Sequence, residues 1–154
     1  MKRGSQWAIG IGLFVSMSAL TLEPGYANDA DHIPPCTLAT LNGRYLFVGS
    51  GTLLPPAFGV TKQSLFASAG YHIFHGDGTG IDVVTFSLDG VVLENNSKTR
   101  VNYTVNPDCT GTYTVPDGPS FDIFIAPNGE ELTVIETDLG VIGFQAPQKR
   151  VAPQ

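Results

Sequence analysis

The chain has 154 residues, with 8 Lys and Arg against 14 Asp and Glu and a formal net charge of −6. That length suits one domain. An acidic chain without a Lys/Arg cluster repels polyphosphate backbones, so nucleic acid is not an expected partner. The acidity is read as an aid to solubility rather than as an answer to a cationic substrate.

Lys2 and Arg3 open the chain, and an apolar run from Trp7 to Leu20 follows, broken only by Gly10, Gly12, Ser16 and Ser18. Small residues at Gly25 and Ala27 then fit the positions a signal peptidase reads. The pattern predicts a cleaved signal peptide over 1–27. A membrane anchor is the rival, but the run is shorter than the roughly 20 apolar residues that span a bilayer. No later segment is apolar enough to cross a membrane. Loss of Lys2, Arg3 and Glu23 with the signal lowers the net charge of the remainder by one, to −7. The product is expected to be exported, to a periplasm or beyond the cell.

Residues 28–35 are polar and end in Pro34-Pro35, which predicts a flexible lead-in. Helix signals are nearly absent after it; Leu38-Ala39-Thr40-Leu41 could form one turn. Gly and Pro punctuate the rest at short intervals, the mark of many strands joined by turns. Strands are expected over 43–49, 65–75, 79–88, 91–93, 99–105, 110–115, 121–125, 132–137 and a last one through Phe144. Gly76-Asp77-Gly78, Asp89-Gly90, Asn95-Asn96-Ser97, Asp117-Gly118 and Asn128-Gly129 supply turns between them. In 99–105, Arg100, Asn102 and Thr104 alternate with Val101, Tyr103 and Val105, as in a half-buried strand. The globular domain is set at 36–146, with a polar tail over 147–154.

Eight or nine strands in up-and-down order tend to close into a barrel, because closure removes exposed edges. The fold class is therefore all-β, a small antiparallel barrel of about eight strands, lipocalin-like. An open two-sheet sandwich is the alternative.

Cys36 and Cys109 are the only cysteines. In an oxidising compartment a disulfide between them is the expected state, stabilising the fold by roughly 4 kcal/mol in the chain-entropy model. The rivals are a metal pair, for which no clustered His is present, and a nucleophilic thiol, which would be oxidised outside the cell.

Several segments together resemble a known family. They are Cys36 ahead of Leu41-Asn42-Gly43-Arg44-Tyr45-Leu46-Phe47, then Phe74-His75-Gly76-Asp77-Gly78-Thr79-Gly80, then Val101-Asn102-Tyr103-Thr104-Val105 leading to Asp108-Cys109-Thr110-Gly111-Thr112-Tyr113. The stretch from Cys36 to Phe144 resembles the secreted bacterial members of the allene oxide cyclase barrel-like group, lipocalin-like barrels distantly related to dirigent proteins. The resemblance implies a barrel that shapes a flexible substrate without a cofactor. None of the family's catalytic residues maps onto a position here.

Sequence signatures of catalysis are missing: there is no G-x-S-x-G, no P-loop and no dinucleotide-binding loop before a helix. The glycines of 76–80 sit between strands and read as a turn. His72 and His75 lie three apart on one strand and so face opposite ways, which disfavours a shared metal. No metal site or cofactor is expected. His72 shares a face with Phe74 and reads as an interior histidine. Glu136 shares a face with Leu132 and Val134; it is either a buried acid or base or, the favoured reading, a wet strand-end residue near Asp138. Tyr45, Phe47, Phe74, Tyr103, Tyr113 and Phe121 either line a ligand cavity or fill the core, and filling is favoured for so short a chain. The interior near Tyr45, Phe47, Phe74 and Tyr103 is expected to be apolar, with at most one or two ionisable groups. Asn95-Asn96-Ser97 and Asn102-Tyr103-Thr104 match the glycosylation pattern and are read as incidental.

The candidate ligand-contacting residues are therefore Tyr45, Phe47, His72, Phe74, Tyr103, Tyr113 and Glu136. The leading functional expectation is a non-enzymatic exported barrel that binds an apolar small molecule or a protein, or serves a structural role. The alternative is a cofactor-free isomerase or cyclase working in the barrel interior. Sequence alone leaves the ligand and the oligomeric state open.

Overall fold

A computed structural model describes residues 34–151. The expected signal peptide (1–27), most of the lead-in (28–33) and the last three residues (152–154) lie outside the described residues. Eight strands follow in order: β1 Asn42–Leu53, β2 Ser64–His75, β3 Thr79–Leu88, β4 Val91–Tyr103, β5 Thr110–Thr114, β6 Ser120–Ile125, β7 Glu131–Glu136 and β8 Val141–Val151. Each pairs antiparallel with the next, and β8 returns to β1. The result is the closed up-and-down barrel expected from the turn spacing, not the open sandwich. Among the described residues no helix is long and apolar enough to cross a membrane.

Two expected breaks are instead β-bulges. Asn95-Asn96-Ser97 was expected to turn, yet β4 runs through it unbroken. Val84 opposes Ser97 and Phe86 opposes Glu94, so Asn95 and Asn96 together face Thr85. The extra residue is absorbed as Asn96 takes a positive φ of 52° and donates its N–H to Thr85 Oγ1 at 3.1 Å. The polar tail expected from Pro147 is also strand, as far as Val151. Leu132 opposes Gln148 and Val134 opposes Gln145, so Ala146 and Pro147 share one partner. A bulge is where a strand tolerates a residue with no N–H to give. The domain therefore extends past the expected boundary at 146.

One end of the barrel is packed solid. Leu41, Tyr45, Phe74, Tyr103, Ile123 and Leu132 are among a buried cluster. Phe74 meets Tyr45 and Tyr103 edge-on, with ring centroids 5.6 and 4.9 Å apart. Such contacts add to the apolar area buried. The expected single turn is present as a 3-10 turn, Leu38–Thr40, which leads Leu41 into the barrel floor, where it is fully buried. Tyr103 Oη donates toward Leu41 O at 3.0 Å and Leu38 O at 3.2 Å. Tyr45 Oη donates to Gly129 O.

The expected disulfide ties this plug down. Cys36 and Cys109 are bonded, with Cα atoms 5.0 Å apart and a sequence separation of 73. Cys36 N–H also donates to Pro107 O at 3.1 Å. Replacing both cysteines with Ser should lower the unfolding free energy by about 4 kcal/mol. Urea denaturation of the oxidised protein and the double variant measures this directly. A loss under about 1 kcal/mol would mean that Leu41 and the tyrosine bonds hold the plug unaided.

Candidate functional site

The other end of the barrel is hollow. A cavity of about 450 Å³ opens among the β1–β2, β3–β4, β5–β6 and β7–β8 connections. The expectation of a solid interior therefore holds for one half only. The hollow half follows from small residues on the inward face, including Gly49 and Gly51 of β1, Ser68 of β2 and Gly143 of β8. Phe66 lies across two of these glycines. A Cβ at Gly51 would come within 2.7 Å of Phe66 Cε1, and one at Gly143 within 2.7 Å of Phe66 Cζ.

Of the residues singled out from the sequence, Phe47, Tyr113 and Glu136 line the cavity, with Phe121 beside them. Tyr45, Phe74 and Tyr103 do not. They belong to the packed end, and the hydroxyls of Tyr45 and Tyr103 are engaged by backbone carbonyls. His72 is 2% exposed and lies behind Phe47, its ring stacked at 4.4 Å and 8°. His75 points outward and bonds Thr79 Oγ1 at 3.1 Å, as the spacing required. Among the described residues no group of His, Cys, Asp and Glu is arranged to hold a metal ion.

A polar network crosses the boundary between the two halves. Tyr113 Oη donates to Asp82 Oδ2 at 3.0 Å and lies 3.3 Å from His72 Nδ1. His72 Nε2 lies 3.4 Å from Gln145 Oε1, and Gln148 Nε2 donates to the same oxygen at 2.6 Å. His72 Nδ1 faces Asp82 Oδ1 at 3.1 Å, an ion pair when the imidazole is protonated, and that oxygen is buried and accepts no other contact among the described residues. Burial first, and then the charge of Asp82, raises the pKa of the Tyr113 phenol. Tyr113 is therefore a permanent donor, not a base.

Sequence reasoning missed Asp82, Gln145 and Gln148. For Asp82 a signal existed: it shares a strand face with Gly80, Val84 and Phe86, a carboxylate among apolar neighbours. Gln145 and Gln148 could not be found by alternation, because they lie three positions apart and only the bulge at Pro147 turns both inward. The interior thus holds His72 and Asp82 beside Phe47, and Glu136 farther along the cavity wall.

Glu136 ends β7 and lies near Asp138, as read from the sequence, but it is not fully wet. It is partly buried on the cavity wall, where a Cβ at Gly143 would meet its Oε2 at 3.2 Å. Burial, and then the nearby charge of Asp138, pushes its pKa up to about 7. Near neutral pH it can give or take a proton. Two further carboxylates, Glu94 and Asp117, stand at the exposed rim, and no Lys, Arg or His lines the cavity.

No protein-family model matches the chain, and neither the curated proteins nor the solved structures include a match.

The raised pKa of Glu136 has a consequence for stability. The folded state keeps this proton to higher pH than the unfolded chain, whose ordinary value is 4.5. Its contribution is complete below about pH 4.5 and is lost as pH rises through about 7. Glu136→Gln should gain about 1–3 kcal/mol on the wild type between those limits. Chemical denaturation at a series of pH values reads this out. Parallel curves for the two proteins would place the carboxylate in water.

Proposed function

We propose that the protein is an exported binding barrel whose open half holds a small, largely apolar molecule. The observation that carries this reading is the cavity itself, about 450 Å³ and walled by Phe47, Phe66, Phe86, Phe121 and Val84. A volume in this range suits a drug-sized ligand. Aromatic walls hold such a ligand by burial, at about 25 cal/mol per Å² removed from water. The few polar groups, Asp82, Tyr113 and Glu136, would orient it. The disulfide is compatible with export to an oxidising compartment, periplasmic or extracellular. The likeness of the turn-and-aromatic motifs to the allene oxide cyclase barrel-like group supports the same use of the interior. A purely structural barrel would have no need of the hollow half.

A second reading is a cofactor-free isomerase or cyclase. One observation favours it: Glu136, with a pKa near 7, stands on the wall of the same cavity. In that reading Glu136 moves a proton on a substrate shaped by the aromatic walls.

Titration with the apolar fluorophore N-phenyl-1-naphthylamine tests the binding reading. The wild type should show saturable enhancement of emission. Val84→Trp adds bulk to the cavity wall and should abolish the enhancement, with the melting temperature within a few degrees of wild type. Absence of saturable binding to the wild type, or an unchanged affinity in Val84→Trp, would overturn the assignment. Glu136→Gln should leave binding of this fluorophore within about threefold of wild type. If the second reading holds, it would suppress turnover of a substrate without weakening the substrate's binding.

A further inference from the structure

The outer wall of the barrel has two unlike halves, and we infer that the apolar half, over β6, β7, β8, β1 and β2, is the contact between two copies of this chain packed face to face in solution. The inference concerns the outside of the barrel and does not depend on what the cavity holds.

The first observation is where charge is missing. The chain carries 8 Lys and Arg and 14 Asp and Glu. Yet residues 45–53 of β1, 64–74 of β2 and 141–148 of β8 contain none of these four types. The three strands are neighbours, with β1 paired to β2 on one side and to β8 on the other. On the far side of the ring, β4 presents Glu94, Lys98 and Arg100 to water.

The second is what stands there instead. Leu46, Val48, Phe124, Ile135, Ile142 and Phe144 are between 49% and 65% exposed. They alternate with buried residues of the same strands, so all six point outward. The registers make them contiguous. Phe144 opposes Ile135 on β7 and Ser50 on β1, with Val48 two residues further on the same face. Phe124 opposes Thr133, two residues from Ile135. Six such side chains expose on the order of 600 Å². Apolar patches on a monomer reach about 300–600 Å², and those at the upper end mark interaction sites. A stable contact takes about 800 Å² from each partner. The exposed Ser50, Ala67, Ala69 and Pro147 extend the panel toward that figure.

Shape and charge then decide the occupant. The ring is closed, so no partner can add a strand to an open edge. A barrel wall is convex, so a helix has no groove to lie in. A second panel of the same kind does fit, because a two-fold contact uses one patch on both partners. Ser50 opposes Ala67, and Val48 opposes Ala69, so the wall beside the projecting Phe144 is shallow enough to receive the Phe144 of a second copy. A net charge of −6 makes two copies repel, and they approach at least cost where charge is absent. Asp122 on β6 and Arg44 on β1 stand at the margin of the panel, as the polar rim of such a contact.

Sedimentation velocity of the disulfide-bonded protein across a range of concentrations tests this. One-copy and two-copy species should exchange with a dissociation constant under about 50 μM. Phe144→Glu and Val48→Lys each place a charge in the middle of the panel and should weaken the pairing at least tenfold. Asn102→Glu adds the same charge as Phe144→Glu on the polar β4 and should leave the constant within about threefold of wild type. Both panel positions are already wet in the single chain, so both variants should keep the near-ultraviolet circular dichroism of the wild type. If one fails to fold, the other carries the test. A single-copy species throughout the range would overturn the inference, as would a two-copy species that both panel variants leave intact. A single-copy species that instead co-sediments with phosphatidylcholine vesicles, and loses this in Phe144→Glu, would assign the panel to a lipid surface and overturn the pairing.

Discussion

The pairing of β1 with β8 is the constraint on which the rest of the structure depends. Once the ring is closed, every strand has one face inside and one outside, and a slip of one residue would exchange the two sets. The registers are therefore held wherever bulky side chains point in, as at Tyr45 opposite His72 and Gly43 opposite Phe74. Closure here needs an irregularity. Tyr45 pairs with Arg150 but Gly49 with Gln145, so β8 carries one residue more than β1 across the same span. The bulge at Ala146 and Pro147 takes up that residue. It also turns Gln145 and Gln148 to the same side, where they bond to each other.

The closed ring then divides by side-chain size. At the plugged end the inward positions carry Tyr45, Phe74, Tyr103, Ile125 and Leu132, which fill the bore. At the other end glycines and Ser68 leave it open, and Phe66 lies flat where Gly51 and Gly143 make room. A barrel of eight strands is just wide enough for either outcome. The disulfide and the 3-10 turn close the bottom, so the cavity has a single sense: a rigid floor and a mouth built from connections. Those connections include the cis peptide at Pro55-Pro56 and a turn at Phe58 with a positive φ of 43°.

The layer between the halves is polar, and that is its interest. Tyr113, Asp82, His72 and the two glutamines form one linked set, from a buried carboxylate to the β8 bulge. Buried polar groups destabilise a core unless they are satisfied. Here nearly all are; the exceptions are Asp82 Oδ1, which has His72 Nδ1 at 3.1 Å, and Gln148 Oε1, both buried without a hydrogen bond among the described residues. The net negative charge of the chain thus has two locations. Most of it is on the surface, where it favours solubility, and part of it, at Asp82 and Glu136, lines the cavity.

How much of this was legible differs by residue. The alternation of Val101, Tyr103 and Val105 and the glycine turns at 76–78 and 128–129 are local signals, and they led correctly to antiparallel strands in a closed barrel. The disulfide was legible from the two cysteines, paired on the expectation of an oxidising compartment. The opposite facing of His72 and His75 followed from a period of two. What sequence could not decide was whatever depends on closure. Asn95–Ser97 and Pro147 read as ends because turn residues and bulge residues are the same types; only the opposing strand shows which they are. Whether Tyr45 or Phe47 meets a ligand depends on height along the bore, and height is set by stagger between strands, not by any residue's neighbours. Glu136 has the same flanking sequence wet or buried. The β7–β8 hairpin sets Gly143 opposite it, but Phe66, 70 residues away in the chain and packed against the same glycine, reaches it only because the ring closes.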